Sequence, residues 1–276
     1  MPSPQLQPAR PVASRGFPPG RSPGLFLVLV IILTIPFWVI GGFTDFELMP
    51  GLPVSALATF CPGLAALILA RREGGPEGSR LLLRRAFNPR LIRPKLWYVP
   101  ILLLMPFVMS LSFGIQRLSG APVPLPQISI PAALSLAVLF LIAALGEEIG
   151  WSGYATDPLQ DRWGTLWAAI GLGVFWALYH YIGLAQAARS IEWIAWWSLG
   201  TVAARILIVW LYSRAGKSVL AAALFHMTIN LTWQLYPVQG SYYDPRIVGV
   251  LTALAAIVVI AVWRPARAAG ARDGQA

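Results

Sequence analysis

Long, continuous apolar runs, broken by short polar segments, make up most of the chain. A helix that crosses a bilayer needs about 20 mostly apolar residues. Eight stretches meet that need: 25–43, 54–70, 97–115, 132–156, 164–184, 191–213, 217–236 and 246–263. The runs do not alternate in the short pieces of a transmembrane barrel. Pro36, Pro62, Gly171 and Gly173 lie inside runs, which membrane helices tolerate. The fold expected is all-α: a polytopic membrane protein of about eight transmembrane helices. No internal repeat and no soluble domain is visible, which weighs against inverted-repeat transporter folds.

Composition agrees with this pattern. Of 276 residues, 57% are hydrophobic and 12% charged, and the mean hydropathy is +0.66. Soluble domains carry roughly 25% charged residues, so a soluble fold of this composition could not cover its surface. The first 24 residues are rich in Pro, Ser, Gly and Arg and read as a disordered basic arm. Phe37 and Trp38 stand where a cleavage site would need small residues, so the first run reads as an uncleaved span. Three helices with a basic loop then fill 25–130, and a last helix with a basic tail fills 237–276.

Charge orients the chain. The net charge is +10. With the N-terminus inside, 17 of the 21 Lys and Arg fall in inner segments, and only Arg117, Arg189 and Arg246 fall outside. Arg205 lies within a span. The outer segments also hold Asp45, Glu47 and Asp244. Both termini are therefore expected in the cytoplasm, with the chain in the plasma (inner) membrane of a bacterial cell. No basic-aromatic module interrupts the runs, so no nucleic-acid partner is expected. The segment 71–96 reads as a cytoplasmic loop, either solvated or lying on the membrane as a partly amphipathic piece. The single cysteine, Cys61, reads as a buried packing residue and excludes an internal disulfide or a Cys-rich zinc site.

Ionisable groups within spans are costly and mark function by default. These are Glu147, Glu148, His180, Arg205 and His226, with Asn230 as a polar companion; Arg189 and Glu192 fall at a span end and read as interfacial. The two histidines are the only ones in the chain. Either alone could be a packing residue, but two of them with a Glu pair are tolerated in lipid only if they meet. His226 and Asn230 share a helix face, as do Trp176 and His180. Glu147 and Glu148 lie about 100° apart around a helix and cannot point at one spot. Gly146, Gly150 and Gly153 would let a neighbouring helix approach. One carboxylate with two imidazoles suits water activation. Glu147, His180 and His226 could hold a divalent metal, zinc by donor type, with an open position. Alternatively, Glu and His could act on water directly, with His226 and Asn230 donating to an oxyanion.

The segments GEEIGWSGYATDPLQ (146–160), VFWALYH (174–180) and FHMTIN (225–230) resemble, in order, the EExxxR, FxxxH and HxxxN motifs of the CAAX-protease and bacteriocin-processing family. That family of intramembrane proteases includes type II CAAX prenyl endopeptidases and lysostaphin-resistance-like proteins. The resemblance covers about 131–236, marking it as a protease core. It implies a site between the fourth, fifth and seventh spans, with Glu147, His180, His226 and Asn230 catalytic and Glu148 and Trp176 supporting. It also implies hydrolysis of a peptide bond in a membrane-associated protein or peptide. A non-catalytic immunity or scaffold protein and a proton-coupled transporter are the alternative classes.

Two departures stand out. Trp176 replaces the Phe of the second motif, and Ser152 replaces the Arg of the first. Ser152 cannot supply the charge that would pair with Glu148 one turn away. Arg205, at a similar expected depth of about 12 Å, is the candidate substitute partner. One tension remains: with the fourth span ending near 156, His180 lies about twice as deep as Glu148.

Overall fold

The computed structural model describes residues 21–49 and 52–262. The expected disordered arm falls outside the described residues up to residue 20, and so does the basic tail from 263. Residues 21–24 belong to the folded body rather than to an arm. Helix α1 (Pro23–Gly42) starts there, with Ser22 as N-cap accepting from Leu25 N at 3.3 Å and Pro23 at the first turn, where a missing N–H costs nothing. Phe26 and Val30 are buried, whereas Val28 and Ile32 are more than half exposed. The same division of faces recurs on the other helices, with Leu103, Phe107, Val138, Leu178 and Ile257 turned outward. An all-round belt of exposed apolar side chains is what lipid requires.

A short antiparallel pair, β1 (Glu47–Met49) and β2 (Leu52–Pro53), precedes a 3₁₀ turn, Val54–Phe60. Helix α2 (Cys61–Ala86) then corrects the expected loop. Residues 71–86 are helical, and the helix is broken only at Gly75, where φ is 61°. That left-handed value favours glycine, and Pro76 follows it. The second half folds back on the first: Ser79 Oγ donates to Leu67 O at 3.3 Å. It is amphipathic, with Gly78, Leu82 and Ala86 buried and Arg80, Leu83 and Arg84 exposed. Cys61 is buried and its thiol faces Leu33 O at 3.3 Å.

Beyond α3 (Tyr98–Leu118), helix α4 (Ile130–Glu148) passes without a break into a π-helical stretch, Ile149–Thr156, and then α5 (Asp157–Trp163). The fourth span therefore ends at 163 rather than 156. Gly164, at φ 73°, reverses the chain into α6 (Thr165–Gln186). Helices α7 (Ile191–Arg214), α8 (Val219–Leu235) and α9 (Pro245–Val262) complete the bundle. All eight predicted runs are helical. Among the described residues seven helices are long and apolar enough to cross a membrane, and α8, at 17 residues, is apolar but shorter.

Small residues let the central helices touch. A Cβ added at Gly150 would lie 2.5 Å from Pro62 O, and one at Gly63 would lie 2.5 Å from Gly146 O. Backbone contact of this kind drives helix association where lipid offers no hydrophobic force. Contacts at the two ends confirm the antiparallel alternation. At one end Asp157 binds Arg21 (3.6 Å), Arg85 (3.4 Å) and Lys217 (3.2 Å), and accepts from Tyr212 Oη at 3.0 Å. At the other, Arg246 pairs with Glu192 at 2.5 Å and Arg189 lies over Trp193 at 4.9 Å.

Candidate active site

Glu147 and Glu148 end α4, where the π-helical stretch begins, and each carboxylate meets its own partners. Glu147 is 5% exposed. Its Oε1 accepts from Thr59 Oγ1 at 3.2 Å. Its Oε2 accepts from two indoles, Trp151 Nε1 at 3.0 Å and Trp176 Nε1 at 2.7 Å. Every one of these donors is neutral. Trp151 reaches back from one turn further along the same helix, and Trp176 comes from α6.

Glu148 is fully buried and held by charge. Arg205 of α7 places Nη1 at 2.9 Å from both carboxylate oxygens, Ser152 Oγ donates to Oε2, and His226 Nδ1 of α8 lies 3.0 Å from Oε1. The pairing of Arg205 with Glu148 expected from the sequence is present in the fold, and Ser152 occupies the remaining side of the carboxylate. Such a charge-assisted cluster is strong only when its members satisfy one another in low dielectric. A Cβ at Gly173 would sit 3.1 Å from Arg205 Cβ, so the glycine of α6 makes room for the arginine stem.

Trp176 joins the two halves. Its N–H serves Glu147 while its ring carries the Arg205 guanidinium at 4.1 Å. The same ring meets His226 edge-on at 5.0 Å and His180 at 5.6 Å. The Phe-to-Trp departure thus adds a hydrogen bond that Phe cannot make.

The histidine tautomers follow from their partners. His180 Nδ1 faces Trp176 O at 2.8 Å, and a carbonyl can only accept, so Nδ1 carries the proton. His226 Nδ1 faces a carboxylate, with the same consequence. In the neutral form both rings keep a lone pair on Nε2. His180 is half-buried, flanked by Trp197 at 5.5 Å, whereas His226 is 2% exposed. Asn230 lies one turn beyond His226 on the same face, is half-buried, and has no hydrogen bond to either glutamate or histidine.

The expected metal tripod of Glu147, His180 and His226 does not fit this arrangement. Both imidazoles have the tautomer that zinc ligation needs. Glu147, however, makes its hydrogen bonds to Thr59 and the two indoles and none to either histidine. Among the described residues no three His, Cys, Asp or Glu side chains are grouped to hold one ion.

The depth mismatch of His180 disappears with the longer fourth helix. Glu148 lies about 15 residues from its end at Trp163, and His180 about 15 from the start of α6 at Thr165. Sequence reasoning missed Thr59 and Trp151. Trp151 could have been found from its four-residue spacing to Glu147; nothing local marks Thr59.

Fold and site together define an all-helical, multi-pass membrane protein with a buried acid–base cluster shared among α4, α6, α7 and α8. Residues 129–232 match the family model described as type II CAAX prenyl endopeptidase Rce1-like. The chain is also similar to CAAX prenyl protease 2 of Methanococcus maripaludis, with 29% identity over 265 residues, 87% of this chain and 93% of that protein. The segment marked by the three motifs is thus similar to the Rce1-like family, and both comparisons are with proteins described as proteases.

Proposed function

We propose that this chain is an intramembrane endopeptidase in which Glu147 activates water. The observation that carries the reading is the division of labour between the two carboxylates. Glu148 is paired with Arg205, whereas Glu147 is held only by neutral donors, so no cation competes for its lone pairs. In the reaction, Glu147 takes a proton from water as the water oxygen attacks the scissile carbonyl carbon. The water's second hydrogen is accepted by an Nε2 lone pair of the His180–His226 pair, which orients it. The Asn230 amide, free of those protein partners, donates to the oxyanion. Collapse breaks the C–N bond, and Glu147 returns its proton to the leaving amine.

In this reading His226 acts as an acceptor. Donation to the oxyanion would require an imidazolium, and the Nδ1 contact to Glu148 leaves Nε2 without a proton in the neutral ring. The substrate is a peptide segment of a membrane-associated protein that reaches the site within the bilayer, from a protein placed in the plasma membrane with both termini in the cytoplasm. The relative's name makes a C-terminal CAAX-type peptide, with and without a prenyl group, the first to try.

The test is cleavage of such peptides by the purified protein beside Glu147→Gln, with and without a chelator. Glutamate-activated water predicts activity that survives the chelator and disappears in the variant. Activity removed by chelator would overturn the metal-free step, and activity retained by Glu147→Gln would overturn the role of Glu147.

A further inference from the structure

Among the described residues Arg205 is the one guanidinium that is 0% exposed, and it makes no hydrogen bond to Glu147 or His180. Its Nη1 spans both oxygens of Glu148, while its Nε and Nη2 are buried with no partner. A buried donor without a partner is a standing cost to the fold. Both hydrogen bonds of the guanidinium run from Nη1 to Glu148. Glu148 Oε1, under that nitrogen, is the oxygen that takes the His226 Nδ1 contact. Ser152 reaches the other oxygen from one turn along the same helix, and it too is completely buried.

We propose that Arg205 is a positioning residue that holds Glu148 as a carboxylate and thereby fixes His226 in its Nδ1–H tautomer, and that position 152 can supply the same cation in its place. Without Arg205, Glu148 is a buried carboxylate with no charge partner. It then takes up a proton or turns toward other donors, and in either case it stops dictating which ring nitrogen of His226 is protonated. An arginine at 152 lies four residues from Glu148 and can reach the same oxygens. Ser152, Glu148 and Arg205 are all fully buried, so the longer side chain takes the space that Arg205 vacates.

The inference rests on the protease reading for its meaning but is measured without turnover. The chain has two histidines, so histidine-selective 15N labelling gives two imidazoles, one of them an internal control. In detergent-solubilised wild type, both are expected as Nδ1–H tautomers. In Arg205→Ala the His226 signature should disappear while that of His180 stays, and in Arg205→Ala/Ser152→Arg it should return. In parallel, kcat on a cleaved peptide should fall about tenfold or more in Arg205→Ala, with KM within about twofold, and recover in the double variant. An unchanged His226 signature in Arg205→Ala would overturn the proposal. So would failure of Ser152→Arg to restore it in a double variant that unfolds at the wild-type temperature. If Arg205→Ala does not accumulate, Arg205→Gln takes its place. If no neutral variant folds alone, the His226 tautomer in the double variant decides by itself. A wild type that cleaves nothing would count against the protease reading and leave the tautomer result standing.

Discussion

Two adjacent glutamates with opposite surroundings are the chemical core of this protein. Glu148 has a guanidinium, an imidazole and a hydroxyl; Glu147 has a hydroxyl and two indoles. Removing one partner of a buried ion pair costs about 3–5 kcal/mol. Glu148→Ala should therefore lower the unfolding temperature and the amount of folded protein, because it strands Arg205. Glu147→Gln should leave both near wild type, since an amide can still accept from neutral donors. Equal loss in thermal unfolding for the two would contradict the assigned roles. Trp176→Phe restores the motif residue and keeps a ring under Arg205, but removes a hydrogen bond to a charged oxygen. Such a bond contributes about 1.5–3 kcal/mol, so kcat should fall about 10- to 100-fold. A Phe variant as active as wild type would show that the indole N–H is idle. Most site residues were legible in the sequence because charges in apolar runs stand out. The indoles were not, because Trp counts as apolar in any hydropathy pattern and its N–H becomes visible only when a carboxylate faces it.

Between elements, close backbone contacts set where those side chains meet. Gly150 follows the glutamate pair and touches Pro62 of α2, which leads directly from Thr59. Gly150→Ala should cost about 1–3 kcal/mol as overpacking and displace Thr59 from Glu147. Gly114 of α3 has nothing within 4 Å of an added Cβ. There alanine should be neutral or stabilising by about 0.5–1 kcal/mol through helix propensity. Thermal unfolding of the two variants in detergent checks the contrast, and similar values would contradict the packing. The existence of every helix was legible from apolar runs, but two boundaries were not. Asp157, Asp161 and Arg162 end the apolar run near 156, yet the helix carries them on to 163, where Asp157 meets Arg21, Arg85 and Lys217. The stretch EGGPEG around Gly75 reads as a loop by composition. Its helical conformation on both sides comes with packing of Gly78 against Ala70 in the first half of the same helix and of Leu82 against Gly153, which no local pattern shows.

For the molecule as a whole, the polar clusters at opposite ends give the bundle its direction. The end with Asp157 collects Arg21, Arg85 and Lys217, and the exposed Arg80 and Arg84 extend from the folded-back half of α2. By the positive-inside rule we propose that this end faces the cytoplasm. Reporter fusions at the two termini should both report a cytoplasmic location, and one on each side would require that α8, the shortest of the eight, fails to cross. The fold class and the membrane setting were fully legible, because lipid imposes so narrow a choice on apolar sequence. How four helices share one cluster was not, since it depends on contacts such as the Trp176 indole with Glu147, 29 residues apart. The most direct test of the account is the turnover of a membrane-presented peptide by the wild type and by Glu147→Gln, with both shown to be folded. The account predicts cleavage by the wild type and a loss of about 100-fold or more in kcat for the variant, the scale of general-base removal. Cleavage at similar rates by both proteins would contradict it.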